Sequence, residues 1–112
     1  FLVPTDERFR PVNLANGPDG ALYVADMYRG IIQHRVYVTT FLRNQIIERG
    51  LEKPINLGRI YRIVPSDTKT PAPRLLSGLS PERLVASLGE ANGWTRDTAQ
   101  RLLVERRDQA VA

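Results

Sequence analysis

The chain has 112 residues, 42% hydrophobic and 25% charged, the balance of one small globular domain or pieces of two rather than of a disordered or fibrous chain. Sixteen Lys and Arg oppose twelve Asp and Glu for a net charge of +4, and fourteen of the sixteen are Arg, whose forked guanidinium suits fixed contacts to anions better than diffuse attraction. Cys is absent, which excludes disulfides, thiolate catalysis, Cys-based zinc sites and covalently attached c-type haem from these residues, and no run approaches the ~18 apolar residues of a membrane span.

The opening, Phe1-Leu2-Val3-Pro4-Thr5, has neither an initiator Met nor a signal-peptide layout, so an internal fragment of a longer chain is expected. Two short runs rich in β-formers follow, Arg8–Leu14 and Ala21–Asp26, separated by Asn16-Gly17-Pro18-Asp19-Gly20. That cluster of turn residues predicts a tight reversal and an antiparallel hairpin. A third run, Gly58–Val64, alternates so that Ile60, Arg62 and Val64 face one side and Arg59, Tyr61 and Ile63 the other. Between the second and third runs lie residues 27–57, far more than the ~2–5 residues of a hairpin loop. Within this insertion, Phe41, Leu42, Gln45 and Ile46 fall along one helical stripe ending at Gly50, a pattern for a short amphipathic helix with a glycine C-cap.

The stretch Pro65–Pro73 holds three prolines among small polar residues and no apolar period, which predicts a linker. Beyond it, Ser80 and Pro81 suit the start of a helix carrying Leu84, Val85 and Leu88. Asn92-Gly93-Trp94-Thr95 interrupts, and Thr98–Arg107 offers Ala99, Leu102, Leu103 and Arg106 on a second helix. Two helices and a tight turn make an αα-hairpin, a unit that can begin a stacked helical repeat.

The order of these pieces carries a family resemblance. Arg8-Phe9-Arg10-Pro11-Val12 followed by Gly17-Pro18-Asp19-Gly20-Ala21-Leu22-Tyr23-Val24 resembles the last blade of soluble quinoprotein sugar dehydrogenases, the glucose and sorbosone dehydrogenase-like β-propellers that use pyrroloquinoline quinone (PQQ). Asp26–His34 and Gly58–Arg62 are similar to a bacterial subgroup labelled membrane-bound dehydrogenase domain, in which the propeller runs on into HEAT-like helical repeats and often a c-type haem domain. The resemblance spans about residues 6–107. It implies a mixed fold, β then α: a partial propeller, its last blade of antiparallel strands over residues 1–66 with the helical insertion 27–57, a linker over 67–78, and the start of a HEAT-like repeat over 79–112.

On a strand, Arg8 and Arg10 point to one face and Phe9 to the other, a paired fork fitted to the carboxylates and quinone oxygens of PQQ. The resemblance carries the family's cofactor-contacting arginine pair onto these two residues; without it, pairing with Asp6, Glu7 or a neighbouring blade is the expected role. By strand parity the insertion starts on the face of Arg8, so Tyr28, Arg29, His34, Arg35 and Tyr37 are candidates for a lid or substrate-specificity element over a bound anion or sugar. His34 is the sole His, but the family's catalytic His lies in an earlier blade, so no catalytic residue is assigned. No metal-ligand spacing is present, and any calcium belongs to residues elsewhere in the parent. Asp26 is expected to cap a turn, and Trp94 with Arg96 and Asp97 to fix the turn between the helices.

The resemblance implies a periplasmic or secreted quinoprotein that oxidises an alcohol or aldehyde group of a sugar with PQQ as hydride acceptor and a c-type haem domain as a possible electron acceptor, this piece being inactive by itself. The alternative is a non-catalytic propeller and helical-repeat scaffold that binds carbohydrate or protein. Nucleic-acid binding is not expected, because the cations are interspersed with acids and form no recognised motif.

Overall fold

A computed structural model describes residues 2–67, 69 and 71–107; Phe1, Thr68, Thr70 and residues 108–112, which include the end of the expected repeat, lie outside the described residues. Three strands, β1 (Pro11–Asn16), β2 (Leu22–Asp26) and β3 (Arg59–Ile63), form one antiparallel sheet in the order β1-β2-β3. Among the described residues three helices follow in the chain: α1 (Thr40–Glu48) between β2 and β3, then α2 (Pro81–Ser87) and α3 (Gly93–Arg106) after β3. The fold is therefore mixed, β then α.

The reversal between β1 and β2 is built as its residues suggest. The Gly17 N–H donates to the Ala21 carbonyl at 2.8 Å and the Gly20 N–H to the Gly17 carbonyl at 3.0 Å, while Gly20 takes φ +76°, a conformation that a side chain would strain. Asp19 secures the turn from inside, accepting from the Ala21 N–H at 3.1 Å and from Arg62 Nε at 2.6 Å.

β1 starts at Pro11, three residues later than the sequence suggests. Arg8 lies in a turn in which the Phe9 N–H donates to the Asp6 carbonyl at 3.1 Å, and the side chain of Asp6 accepts from the Arg8 N–H at 2.9 Å. This local bonding competes with extension of the strand, so the strand parity argued for Arg8 and Arg10 does not apply to them.

By internal contacts the chain divides into two compact units, Phe1–Leu14 with Val24–Tyr61, and Ala15–Tyr23 with Arg62–Ala112. In the first unit the insertion holds a 3-10 turn, Arg35–Tyr37, and α1, whose N-cap Thr39 accepts from the Leu42 N–H at 3.3 Å. The apolar stripe expected on α1 is only partly covered: Ile46 is buried, Gln45 is half-buried, and Phe41 and Leu42 are exposed. Gly50 follows at φ +60°, as a C-terminal cap requires.

The second unit has an apolar core of Leu76, Leu84 and Ala99, against which Leu79, Trp94, Leu102 and Leu103 pack. Leu76 belongs to residues 67–78, so the far end of the segment read as a linker is anchored in this core. Of the three apolar residues expected to face inward from α2, Leu84 is buried while Val85 and Leu88 are exposed. α3 begins at Gly93, five residues earlier than the sequence suggests, because the Asn92 side chain caps it by accepting from the Trp94 N–H at 2.9 Å; Asn92-Gly93 is a helix start and not an interruption. The same side chain donates through Nδ2 to the carbonyls of Gly17 and Pro18 at 3.1 and 3.3 Å, so the β-turn and the helix start of this unit share one residue. Arg106 donates to the carbonyl of Leu79 at 2.7 Å.

Candidate functional site

Arg8 and Arg10 are spent on the chain's own carbonyl oxygens. Arg8 donates through Nε to Lys53 at 2.9 Å and through Nη2 to Gly50 at 2.8 Å. Arg10 donates through Nη1 to Glu7 at 2.6 Å and Phe9 at 2.9 Å, and through Nη2 to Gly30 at 3.3 Å. Charge-assisted bonds of this kind are among the stronger polar contacts, and together they tie the segment before β1 to both ends of the insertion. Arg8 commits two of its five N–H donors in this way and Arg10 three.

Beside them, Asp26 and Arg59 form a closed polar centre. The buried Asp26 carboxylate accepts from the Arg10 N–H at 2.7 Å, the Tyr28 N–H at 2.9 Å and Arg59 Nε at 2.9 Å. Burial alone would raise its pKa, but these donors and the Arg59 charge outweigh it and hold the carboxyl below its usual range. Asp26 does cap the turn after β2, as expected, and it also anchors β3 through Arg59. The Arg59 guanidinium lies 3.7 Å from the centroid of the Tyr28 ring and 5.1 Å from that of Tyr61, the geometry of cation–π contact. Phe9 meets Tyr61 edge to face at 5.8 Å. Asp6 approaches the same centre, 3.9 Å from Arg59, and the backbone N–H of Arg8 is the chief cause of its lowered pKa.

Of the residues proposed for a lid, Tyr28 is drawn into this centre: it adopts φ 49°, a left-handed conformation that costs a non-glycine residue roughly 1 kcal/mol, and its ring lies under Arg59. His34 sits at the start of the 3-10 turn, exposed, its ring edge-on to that of Tyr37 at 6.2 Å. Arg29 lines a cavity of about 460 Å³ built by the insertion, together with Gly30, Arg35, Arg43, Ile46 and Leu51. The structure thus gathers Arg29 and Arg35 at one cavity and places Tyr28 and His34 elsewhere. Arg43 lies off the apolar stripe of α1 and reads from the sequence as an ordinary solvated cation; its spacing of eight from Arg35 across a helix start is the only trace of the shared cavity.

Gly30 is what allows the cavity wall to close. A Cβ there would collide with the carbonyl oxygen and Cβ of Leu51, so only glycine lets the two segments run this close. Among the described residues no group of three or more His, Cys, Asp and Glu is placed to hold a metal ion, and no helix is long and apolar enough to cross a membrane.

A family model described as Domain of unknown function (DUF7133) matches residues 1–67. The chain belongs to this family. The match takes in the three strands, the Asp26–Arg59 centre and the whole insertion, and ends before α2. No curated protein and no solved structure matches the chain.

Proposed function

We propose that residues 1–67 are a propeller blade whose contribution is architectural, and that α2 and α3 open a HEAT-like helical repeat running on from it. The observation that carries the architectural role is the engagement of both Arg8 and Arg10 by the chain's own carbonyls: the arginine pair fastens the insertion to the strand entry instead of presenting free forks to a ligand. Support for a blade comes from the sheet, whose β1 is exposed along its length with Val12 and Leu14 uncovered, as is Ile60 on β3. Apolar strand residues of this kind are what neighbouring blades cover in a propeller. On this reading the parent is a propeller and helical-repeat scaffold that binds carbohydrate or protein.

A second reading keeps a redox parent, and the observation in its favour is the insertion, which builds an arginine-lined cavity on the same unit. The parent would then be a periplasmic or secreted quinoprotein dehydrogenase that oxidises an alcohol or aldehyde group of a sugar, with PQQ and any calcium held by other blades and electrons passing to a c-type haem domain. Titrating the longer parent with PQQ and calcium separates the two: saturable binding favours the redox parent and no binding favours the scaffold; a double variant then tests the architectural role of the arginine pair. Replacing Arg8 and Arg10 together by Ala is expected to lower the melting temperature of the chain, and to leave unchanged the affinity of the longer parent for PQQ with calcium, or its failure to bind. Loss of PQQ binding with the melting temperature unchanged would return the pair to the cofactor and overturn the architectural role.

A further inference from the structure

The seven arginines of the first unit sort into two groups. Arg8, Arg10, Arg49 and Arg59 each donate to carbonyl or carboxylate oxygens of the unit itself. The guanidinium groups of Arg29, Arg35 and Arg43 have no hydrogen-bond or ion-pair partner among the described residues, and all three line one cavity of about 460 Å³ within the insertion. One carboxylate, Glu52, shares that lining, leaving it with an excess of two positive charges.

We propose that this cavity binds a small organic polyanion, an apolar body carrying two or more carboxylate or phosphate groups. The volume falls in the ~300–1,000 Å³ range of sites for small organic ligands. Unpaired guanidinium groups offer planar forks suited to carboxylate and phosphate oxygens, and clustered charge of one sign raises the local concentration of anions. Apart from Gln33 and Gly30 the rest of the wall is apolar, formed by Ile31, Val38, Ile46, Leu51 and Pro54, which favours a ligand with a hydrocarbon or ring body over a bare inorganic ion. No aromatic side chain lines the cavity, so the stacking surface that a neutral sugar uses is missing.

Hydrogen bonds and one close approach hold the segments that form the cavity. Its wall is pinned from behind by Arg10 on the Gly30 carbonyl and by Arg8 on the carbonyls of Gly50 and Lys53, and closed by the Gly30–Leu51 approach. A pre-formed site loses less ordering entropy on binding. The site is independent of the dehydrogenase reading and stands with either parent.

Isothermal titration of the full chain with phthalate, citrate, phenyl phosphate and glucose tests it. Phthalate, citrate or phenyl phosphate is expected to bind, more weakly at high salt, and the ranking among them identifies carboxylate or phosphate as the natural group; glucose is expected not to bind. The Arg35→Gln/Arg43→Gln variant, altered at exposed positions, should lose roughly tenfold or more in affinity with an unchanged circular dichroism spectrum, Arg35→Lys/Arg43→Lys should lose less, and Arg83→Gln on α2 should bind like the parent sequence. Absence of binding by all three anions, binding of glucose instead, or an affinity untouched in the folded Gln variant would overturn the proposal.

Discussion

The two compact units are held together by different forces. The second is built on an apolar core in which Leu84 and Ala99 are fully enclosed. The first buries few apolar side chains, chiefly Val24 and Ile46, and relies on Arg8, Arg10 and Arg59 bonding to carbonyls and to Asp26. An apolar core tolerates changes of pH and salt but fails when volume is removed. A polar centre keeps its shape through directed bonds, and fails when one partner is removed or neutralised, because the groups left behind are buried without compensation. The first design also leaves cations to spare, which is how a unit of this size can carry both a fastening network and a charged cavity.

The sharpest way to break this contrast is to empty the apolar core. Leu84→Ala is expected to destabilise the second unit by about 4 kcal/mol, seen as a loss of helical circular dichroism at lower urea than in the parent sequence. A loss below about 1 kcal/mol would mean that the helices are held by something other than this core.

A smaller effect is expected in the polar centre, where Asp26→Asn keeps an acceptor for the backbone N–H groups but removes the charge facing Arg59, at a cost of about 2 kcal/mol. Its pH dependence sharpens the comparison. Because Asp26 has a lower pKa folded than unfolded, the folded state binds fewer protons in the interval between the two values, so its stabilisation is complete above the ordinary carboxylate range and is lost as pH falls through the folded value. Asp6 and Asp19 shift in the same direction. Urea melts followed from neutral pH to below pH ~4 should therefore show stability falling with acid in the parent sequence and falling less steeply in Asp26→Asn; parallel slopes would remove Asp26 from the account.

The smallest change concerns the residue shared by the turn and α3. Asn92→Ala removes the cap and is expected to cost about 1 kcal/mol, whereas Asn92→Asp, which keeps the cap acceptor for the Trp94 N–H but loses the Nδ2 donor to Gly17 and Pro18, should recover part of it. Equal losses in the two variants would show that the donation to the β-turn carries the whole effect.

The succession of elements was legible in the sequence, because the signals involved are local. Gly17-Pro18-Asp19-Gly20 specifies a reversal through the conformations its residues allow, the alternation of Arg59–Ile63 specifies a strand, and Ser80-Pro81 and Gly50 mark helix ends. Even the role of Asp26 as a turn cap was legible, since an Asx side chain bonds within two residues of itself. Where the charges went depended on the folded chain. The spacing of Arg8 and Arg10 suggested two free forks on a strand, but the Asp6 turn delays the start of that strand to Pro11, and the carbonyls of Gly30, Gly50 and Lys53, twenty or more residues away, take up donors of the guanidinium groups. Arg29, Arg35 and Arg43 carry the same chemistry in the sequence, yet among the described residues the fold gives their guanidinium groups no partner. A guanidinium's partner depends on which oxygens the closed chain brings within about 3 Å of it, and that distance has no counterpart in sequence spacing.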